Sequence, residues 1–382
     1  MRRFQTALRA RDPDESHRAA TTLELLFDLV SVVAIAAVTA SFHHAISEGH
    51  GAEAFPRFLF LFLAIWWAWM NFTWFASAFD NDDVVYRILV MVIMSGELLF
   101  AGGASKIFET LDFGFGLLGW IVMRLAMIGL WLRAAHANPE YRRTAMTYAV
   151  GIAVAQLSWC VLYFSTQPAS AAFYTIGVLC FLVEWCVPPI AERQKVTPFH
   201  RHHIIERYGL LMIISLGEIV LSISQGYGQL FTDHPNYQAA AVSTATLVII
   251  FSMWWVYFYE EEHLPNRNFT TAFAWGYGHV FVFMATAGLG ATIAASIDVE
   301  LHRGHATQAY VSGFLGTSLA VFALSLWFVR DLSLHLPAKV RYALPAMALL
   351  FLAAGLAGLS IKVLAVLCVV MVAWRTAGNA KD

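Results

Sequence analysis

Glu24-Leu25-Leu26-Phe27-Asp28 opens a run that is otherwise apolar to Phe42, with two carboxylates four residues apart at its start. That spacing puts both acids on one face of a helix. The run is long enough for a bilayer core about 30 Å thick, which takes roughly 20 residues. Counted from a start near residue 22 at about 1.5 Å per residue, Asp28 lies about 9 Å inside. A charge carried that far into hydrocarbon costs several kcal/mol even on lenient scales, so its default reading is functional.

The apolar character extends along the whole chain. Its 382 residues are 59% hydrophobic and only 13% charged, with a mean hydropathy of +0.62, whereas soluble domains carry about 25% charged residues. The expected fold class is an all-α membrane protein of about twelve transmembrane helices, over 22–43, 57–79, 84–104, 115–136, 144–164, 170–190, 203–226, 239–259, 271–295, 308–329, 341–358 and 359–375. Only Lys362 and a short Gly-rich bend divide the last two. Met1 to Arg18 is polar and lacks the apolar core of a signal peptide, so the first span is expected to stay as a helix.

Basic residues orient these spans, because positive charge collects on the cytoplasmic side. With the N-terminus inside, only Arg57, Lys106, Arg303 and Lys362 of the 24 Lys and Arg fall outside, and only Arg124 lies within a span. The rest, Arg18, Arg207, Arg330 and Arg375 among them, count as inner-face charges, so both termini are expected to be cytoplasmic. A net charge of −2 with no basic block argues against nucleic acid as a partner. Cys160, Cys180, Cys186 and Cys368 all fall in spans without Cys-x-x-Cys spacing, which favours apolar packing over disulfide or metal chemistry.

An internal repeat is expected. Phe62-Leu63-Ala64-Ile65-Trp66-Trp67-Ala68-Trp69 reads like Phe251-Ser252-Met253-Trp254-Trp255-Val256-Tyr257 with a one-residue slip, and Leu23-Glu24 sits near the position of Ile205-Glu206. An even number of spans per repeat makes the halves parallel, as in many transporters. The expected organisation is a cytoplasmic tail over 1–21, a six-helix half over 22–190, a charged linker over 191–202 containing Pro198, a second half over 203–375 and a tail over 376–382.

Several charges inside these spans are candidates for function. Glu24 and Asp28 read either as a proton or cation site or, for Glu24, as an interfacial acid that caps the helix and suits its dipole. In the seventh span Glu206 and Arg207 are adjacent and point about 100° apart, so each needs another partner, such as Asp28 for Arg207. Glu97, Arg124 and Glu218 come out at one depth, and an unpaired Arg124 would be very costly, so Glu97 or Glu218 is its expected partner. Glu184 reads as interfacial. His279, mid-span, reads as a proton relay or as a hydrogen-bonded packing residue.

The ends of the second and eighth spans, Asp80-Asn81-Asp82-Asp83 and Glu260-Glu261-Glu262-His263, lie beside aromatic residues and read as solvated acids past an interfacial belt. Groups of His43, His44, His50 and Glu48, and of His200, His202 and His203, match no zinc spacing, so no metal is expected. Gly102-Gly103 and Gly288-Leu289-Gly290 read as close helix packing rather than nucleotide loops, and no cofactor is expected.

Taken together, Glu24-Leu25-Leu26-Phe27-Asp28-Leu29-Val30, Trp66-Trp67-Ala68-Trp69-Met70-Asn71-Phe72-Thr73-Trp74-Phe75, Asp80-Asn81-Asp82-Asp83 with Arg87, and His203-x-x-Glu206-Arg207-Tyr208-Gly209 with Leu216-Gly217-Glu218 resemble the bacterial low temperature requirement protein A family. Leu26 stands where that family usually has an aromatic residue, and Ser31-Val32-Val33 replaces a second aromatic-rich stretch. The resemblance implies a multi-pass protein of the bacterial inner membrane tied to growth in the cold, and no particular reaction.

The leading expectation is a proton- or cation-coupled solute transporter, not an enzyme. Glu24, Asp28, Glu206, Arg207 and Glu218 are expected at or near its pathway. Glu97, Arg124 and His279 would form a buried network, and Trp67, Asn71, Asp80, Asp83, Arg87, His203 and Glu260 are further candidates. An ion channel, an enzyme acting on lipid or polyprenyl substrates, and a non-catalytic component of cold adaptation are the alternatives. Expected partners are membrane lipid and a small solute or ion, and the chain is compatible with a homo-oligomer.

Overall fold

A computed structural model describes residues 4–16, 18–260, 264 and 268–379. Glu261, Glu262 and His263 of the expected acidic run lie outside the described residues. The chain is 80% helix with no strands among the described residues. Its helices are α1 (Thr22–Ser47), α2 (Gly51–Phe79), α3 (Val84–Gly102), α4 (Ala104–Thr110), α5 (Gly114–Ala137), α6 (Arg142–Ser165), α7 (Ala171–Glu192), α8 (Arg201–Gly228), α9 (Tyr237–Phe258), α10 (Phe269–Glu300), α11 (Gln308–Leu326), α12 (Ala338–Arg341), α13 (Ala343–Leu356) and α14 (Ile361–Asn379).

Each expected span coincides with one of these helices to within a few residues at its ends. Among the described residues, ten helical segments are long and apolar enough to cross a membrane. The expected seventh and twelfth spans, α8 and α14, are outside that set, and they carry Arg201, Glu206, Arg207 and Glu218, and Lys362 and Arg375, respectively. The last two expected spans are separate helices, because Gly358 turns the chain between them in the left-handed region at φ +69°. Many large apolar side chains face outward, among them Leu125, Leu157, Phe164 and Leu349. A soluble monomer rarely exposes so much apolar surface.

The chain forms two compact units, Met1–Val38 with Leu61–Tyr208, and Thr39–Phe60 with Gly209–Asp382. In the first, α3 packs on α5, α5 on α6 and α6 on α7. Trp66, Trp69, Trp120, Trp159 and Tyr86 fill its core. In the second, α11 packs against α10 and α13, and α14 against α9.

Glycines set the tightest helix contacts. A Cβ on Gly119 of α5 would lie 2.6 Å from the Gly96 carbonyl of α3, and one on Gly316 of α11 would lie 2.4 Å from the Phe351 carbonyl of α13. Backbones approach this closely only where both helices present small residues. The pairs expected from sequence differ: Gly102 faces open space, and Gly288 has only Ser318 Oγ near, at 3.2 Å.

The matched tryptophan pairs of the expected repeat have opposite surroundings. Trp66 and Trp67 are buried in α2, whereas Trp254 and Trp255 on α9 are each 48% exposed. At the end of α11 the ladder widens into a π-helical turn, Trp327–Asp331, where the Leu332 amide donates to the Trp327 carbonyl.

Candidate functional site

The first turn of α1 is built by its own sequence. Thr21 Oγ1 accepts from the Glu24 amide at 3.2 Å, and a Glu24 oxygen accepts from the Thr21 amide at 2.7 Å. This reciprocal Thr-x-x-Glu bonding satisfies two amides that the start of a helix leaves free. It also fixes the Glu24 carboxylate at the head of α1, one turn from Asp28.

Arg207 of α8 reaches both acids. Its Nε and Nη2 fork onto the two Asp28 oxygens at 3.0 and 2.6 Å, and Nη1 stands 3.1 Å from Glu24 Oε1. His203, one turn earlier on α8, brings Nε2 to 3.0 Å from the same Glu24 oxygen. Trp69 of α2 donates its indole N–H to Asp28 at 2.7 Å. Asp28, Arg207 and His203 are fully buried and Glu24 is 1% exposed. A bidentate guanidinium–carboxylate pair is directional as well as strong, so it locks one register of α8 against α1.

A rim of charge surrounds this core. Arg18 stands 3.7 Å from both Glu24 and Asp80 and donates to the Ala76 carbonyl at 2.8 Å. Burial pushes the Asp80 carboxyl up to about 6, with the Glu24 charge adding to the shift, while Arg18 and Arg11 oppose it. Asp83 caps α3 by accepting from the Tyr86 amide at 2.7 Å, and it takes the Thr6 amide and Arg133 at 2.8 and 2.5 Å. These bonds hold its carboxyl below the usual range despite the desolvation that opposes them. Arg87 pairs with Asp82 at the surface.

A second buried pair lies in the same unit. Arg124 Nη1 meets Glu184 at 2.6 Å, and the indoles of Trp67 and Trp159 both donate to Glu184 at 2.9 Å. The Trp120 ring lies 5.1 Å from the Arg124 guanidinium, close enough for a cation–π contact. A cavity of about 30 Å³ lined by Asn71, Trp67, Arg124 and Glu184 adjoins the pair, and it has room for a water molecule. Asn71 itself donates to the Trp67 carbonyl.

These contacts correct several expectations. Arg124 is partnered by Glu184 rather than by Glu97 or Glu218, and Glu184 is buried rather than interfacial. Glu97 is fully buried, with the Ser31 hydroxyl donating to one oxygen at 2.8 Å and its other oxygen without a hydrogen-bond partner. His279, in the second unit, is buried against the Trp275 carbonyl of its own helix and the Trp275 ring. Glu206 is exposed and accepts from the Ala20 amide, turned away from the Arg207 cluster as its adjacent position requires. Glu218 is also exposed, partway along α8.

The second unit repeats the arginine–aspartate fork at a place the sequence did not mark. Arg375 of α14 forks onto both Asp331 oxygens at 2.5 and 3.2 Å, and Arg330 adds a contact at 3.0 Å while donating to the Val256 carbonyl at 2.6 Å. Glu260 lies 3.5 Å from Arg375. All three forked residues are at most 2% exposed. Arg330 and Arg375, counted as loop charges on the inner face, are therefore core residues, as are Arg18 and Arg207. An Arg-Asp dipeptide at a helix end reads as an ordinary interfacial pair, which is why Asp331 was overlooked.

Among the described residues, no group of three or more His, Cys, Asp or Glu is placed to hold a metal ion.

Known proteins agree with the motif reading. The chain is 25% identical over 336 residues to an uncharacterized protein, RA0937, of Rhizobium meliloti (strain 1021), an alignment covering 82% of this chain and 78% of that one. No solved structure matches. The sequence profile described as Bacterial low temperature requirement A protein matches residues 19–375, a range that takes in the capped first turn, the Asp28–Arg207 fork and the Asp331–Arg375 fork, and the chain belongs to that family.

Proposed function

We propose that this protein is a proton- or cation-coupled solute transporter of the bacterial inner membrane, with both termini cytoplasmic and two parallel six-helix halves. Glu97 carries the reading. Glu24, Asp28, Glu184 and Asp331 each sit against an arginine, whereas Glu97, equally buried in α3, has among the described residues the Ser31 hydroxyl and no arginine. Leucine would fill that space without the burial penalty of a carboxyl group. An ionisable group kept inside a membrane helix with no cationic partner among the described residues suits proton or cation exchange.

Two further features support it. Glu206 and Glu218 leave carboxylates accessible on α8, where hydrocarbon alone is a poor solvent for them. Glu24 and Asp28, which an interfacial enzyme would need open to substrate, are sealed by Arg207 and Trp69. They suit a gate that closes α8 onto α1.

The test uses purified protein in liposomes loaded with a pH-sensitive dye, under an imposed ion gradient. Wild type is compared with Glu97→Gln, Asp28→Asn and Glu218→Gln. Glu97→Gln is expected to abolish the dye response while eluting as wild type on size exclusion, and the other two to slow it. Equal responses from all four proteins would overturn the proposal.

A further inference from the structure

A larger cavity lies in the second unit and takes no part in the charged clusters. It holds about 560 Å³ between the end of α1, the start of α2, α10, α11 and α13. Phe42, Phe55, Phe58, Met284, Phe314 and Val321 are among its lining, and no charged residue lines it among the described residues. The hydroxyls of Tyr310 and Thr317 at its edge are already engaged, with Tyr310 accepting from the Ala52 amide and Thr317 donating to the Gly313 carbonyl. With the Ser318 hydroxyl as the other side-chain polar group in the lining, the cavity offers a charged solute no countercharge among the described residues.

The cavity's dimensions point to its occupant. Along α11 the lining runs from Ala309 to Val321, about 18 Å at the rise of a helix. A bilayer core is about 30 Å thick, so that length matches the hydrocarbon depth of one leaflet. The same volume drawn over that length leaves a bore too narrow for a helix about 10–12 Å across. It accommodates one extended hydrocarbon chain. The cavity also opens sideways, since Phe55 and Leu356 in its wall are 40% and 74% exposed. In a membrane the medium at that opening is acyl chain, and a void left there would forfeit dispersion contacts along its whole wall.

We infer that this cavity seats one acyl chain of a membrane phospholipid, admitted from the leaflet on the side of the α1–α2 and α10–α11 turns. The site is separate from Glu97 and the arginine forks, so it stands whether or not the protein transports protons.

Gly313 provides the test, because it lines the cavity and a Cβ there meets nothing within 4 Å. Gly313→Leu therefore starts its side chain in open space on the cavity wall, and Thr317→Leu is a second filling variant. Gly102→Leu is the control, since Gly102 also faces open space and lies in the other unit. Each protein is reconstituted with phosphatidylethanolamine bearing a diazirine in one acyl chain, irradiated and mapped by peptide mass spectrometry. Wild type and Gly102→Leu are expected to label at peptides containing Phe55 and Phe314, and both filling variants to lose that labelling at least about fivefold. Undiminished labelling in a folded filling variant, or labelling spread evenly over all helices of the wild type, would overturn the assignment.

Discussion

Removing Arg207 tests the buried network most directly. Its guanidinium sits 2.6 and 3.0 Å from the Asp28 oxygens and 3.1 Å from Glu24, in a place closed to solvent. Deleting one member of a buried pair costs about 3–5 kcal/mol, because it strands the remaining charge. Arg207→Leu leaves Asp28 with the Trp69 indole and Glu24 with His203 at 3.0 Å and Arg18 at 3.7 Å, so a loss within that range, about 3–5 kcal/mol, is expected. Asp28→Asn is milder, about 2 kcal/mol, because the amide oxygen still accepts from Trp69 and Arg207 keeps Glu24. The triple variant Glu24→Gln, Asp28→Asn, Arg207→Leu removes every charge of the core and should return to within about 1–2 kcal/mol of wild type.

Unfolding by SDS in mixed micelles, followed by tryptophan fluorescence, measures all three. If the triple variant is as unstable as Arg207→Leu, the loss comes from packing rather than charge. An Arg207→Leu protein within about 0.5 kcal/mol of wild type would show that the fork contributes nothing net.

Two further predictions concern the rim and the helix contacts. Burial raises Asp80 from 3.8 to about 6, so the folded protein keeps a proton that the unfolded chain has lost. Its contribution is full below about pH 4, declines as pH rises to about 6 and is flat beyond, an effect of about 3 kcal/mol. The wild-type melting temperature should fall across that window and Asp80→Asn should remove that part of the slope, while an unchanged slope in Asp80→Asn would refute it. Gly119→Ala drives a Cβ to 2.6 Å from the Gly96 carbonyl and 2.7 Å from the Phe100 amide, so about 1–3 kcal/mol of destabilisation is expected. Gly102→Ala, with open space around it, should be neutral or mildly stabilising, and matching SDS midpoints for the two variants would contradict the contact.

Helix positions were legible because hydropathy reports span length, and length follows directly from helix rise. Depth was legible in the same way, which is how Asp28 and Arg207 suggested each other. Azimuth was not. Counted along the sequence, Glu97, Arg124 and Glu218 come out at one depth, and depth alone does not separate these from Glu184, the partner Arg124 takes. Glu184 was misjudged because nearness to a span end was equated with exposure, although two indoles and a guanidinium enclose it. The Gly96–Gly119 and Gly316–Gly355 contacts were missed since each partner is a single glycine, and nothing in one helix's sequence announces its counterpart in another.

The π-helical turn at Trp327–Asp331 gives residue count a meaning of its own. A turn closed across five residues holds one more than the α-helical ladder needs. Deleting that extra residue would let the helix close normally, yet it would swing Asp331 by about 100° about the axis. Arg375 would then face a wall instead of its carboxylate, and no substitution nearby restores the angle. In this segment spacing outranks identity, so homologues that keep the fork must also keep the residue count from α11 through Asp331.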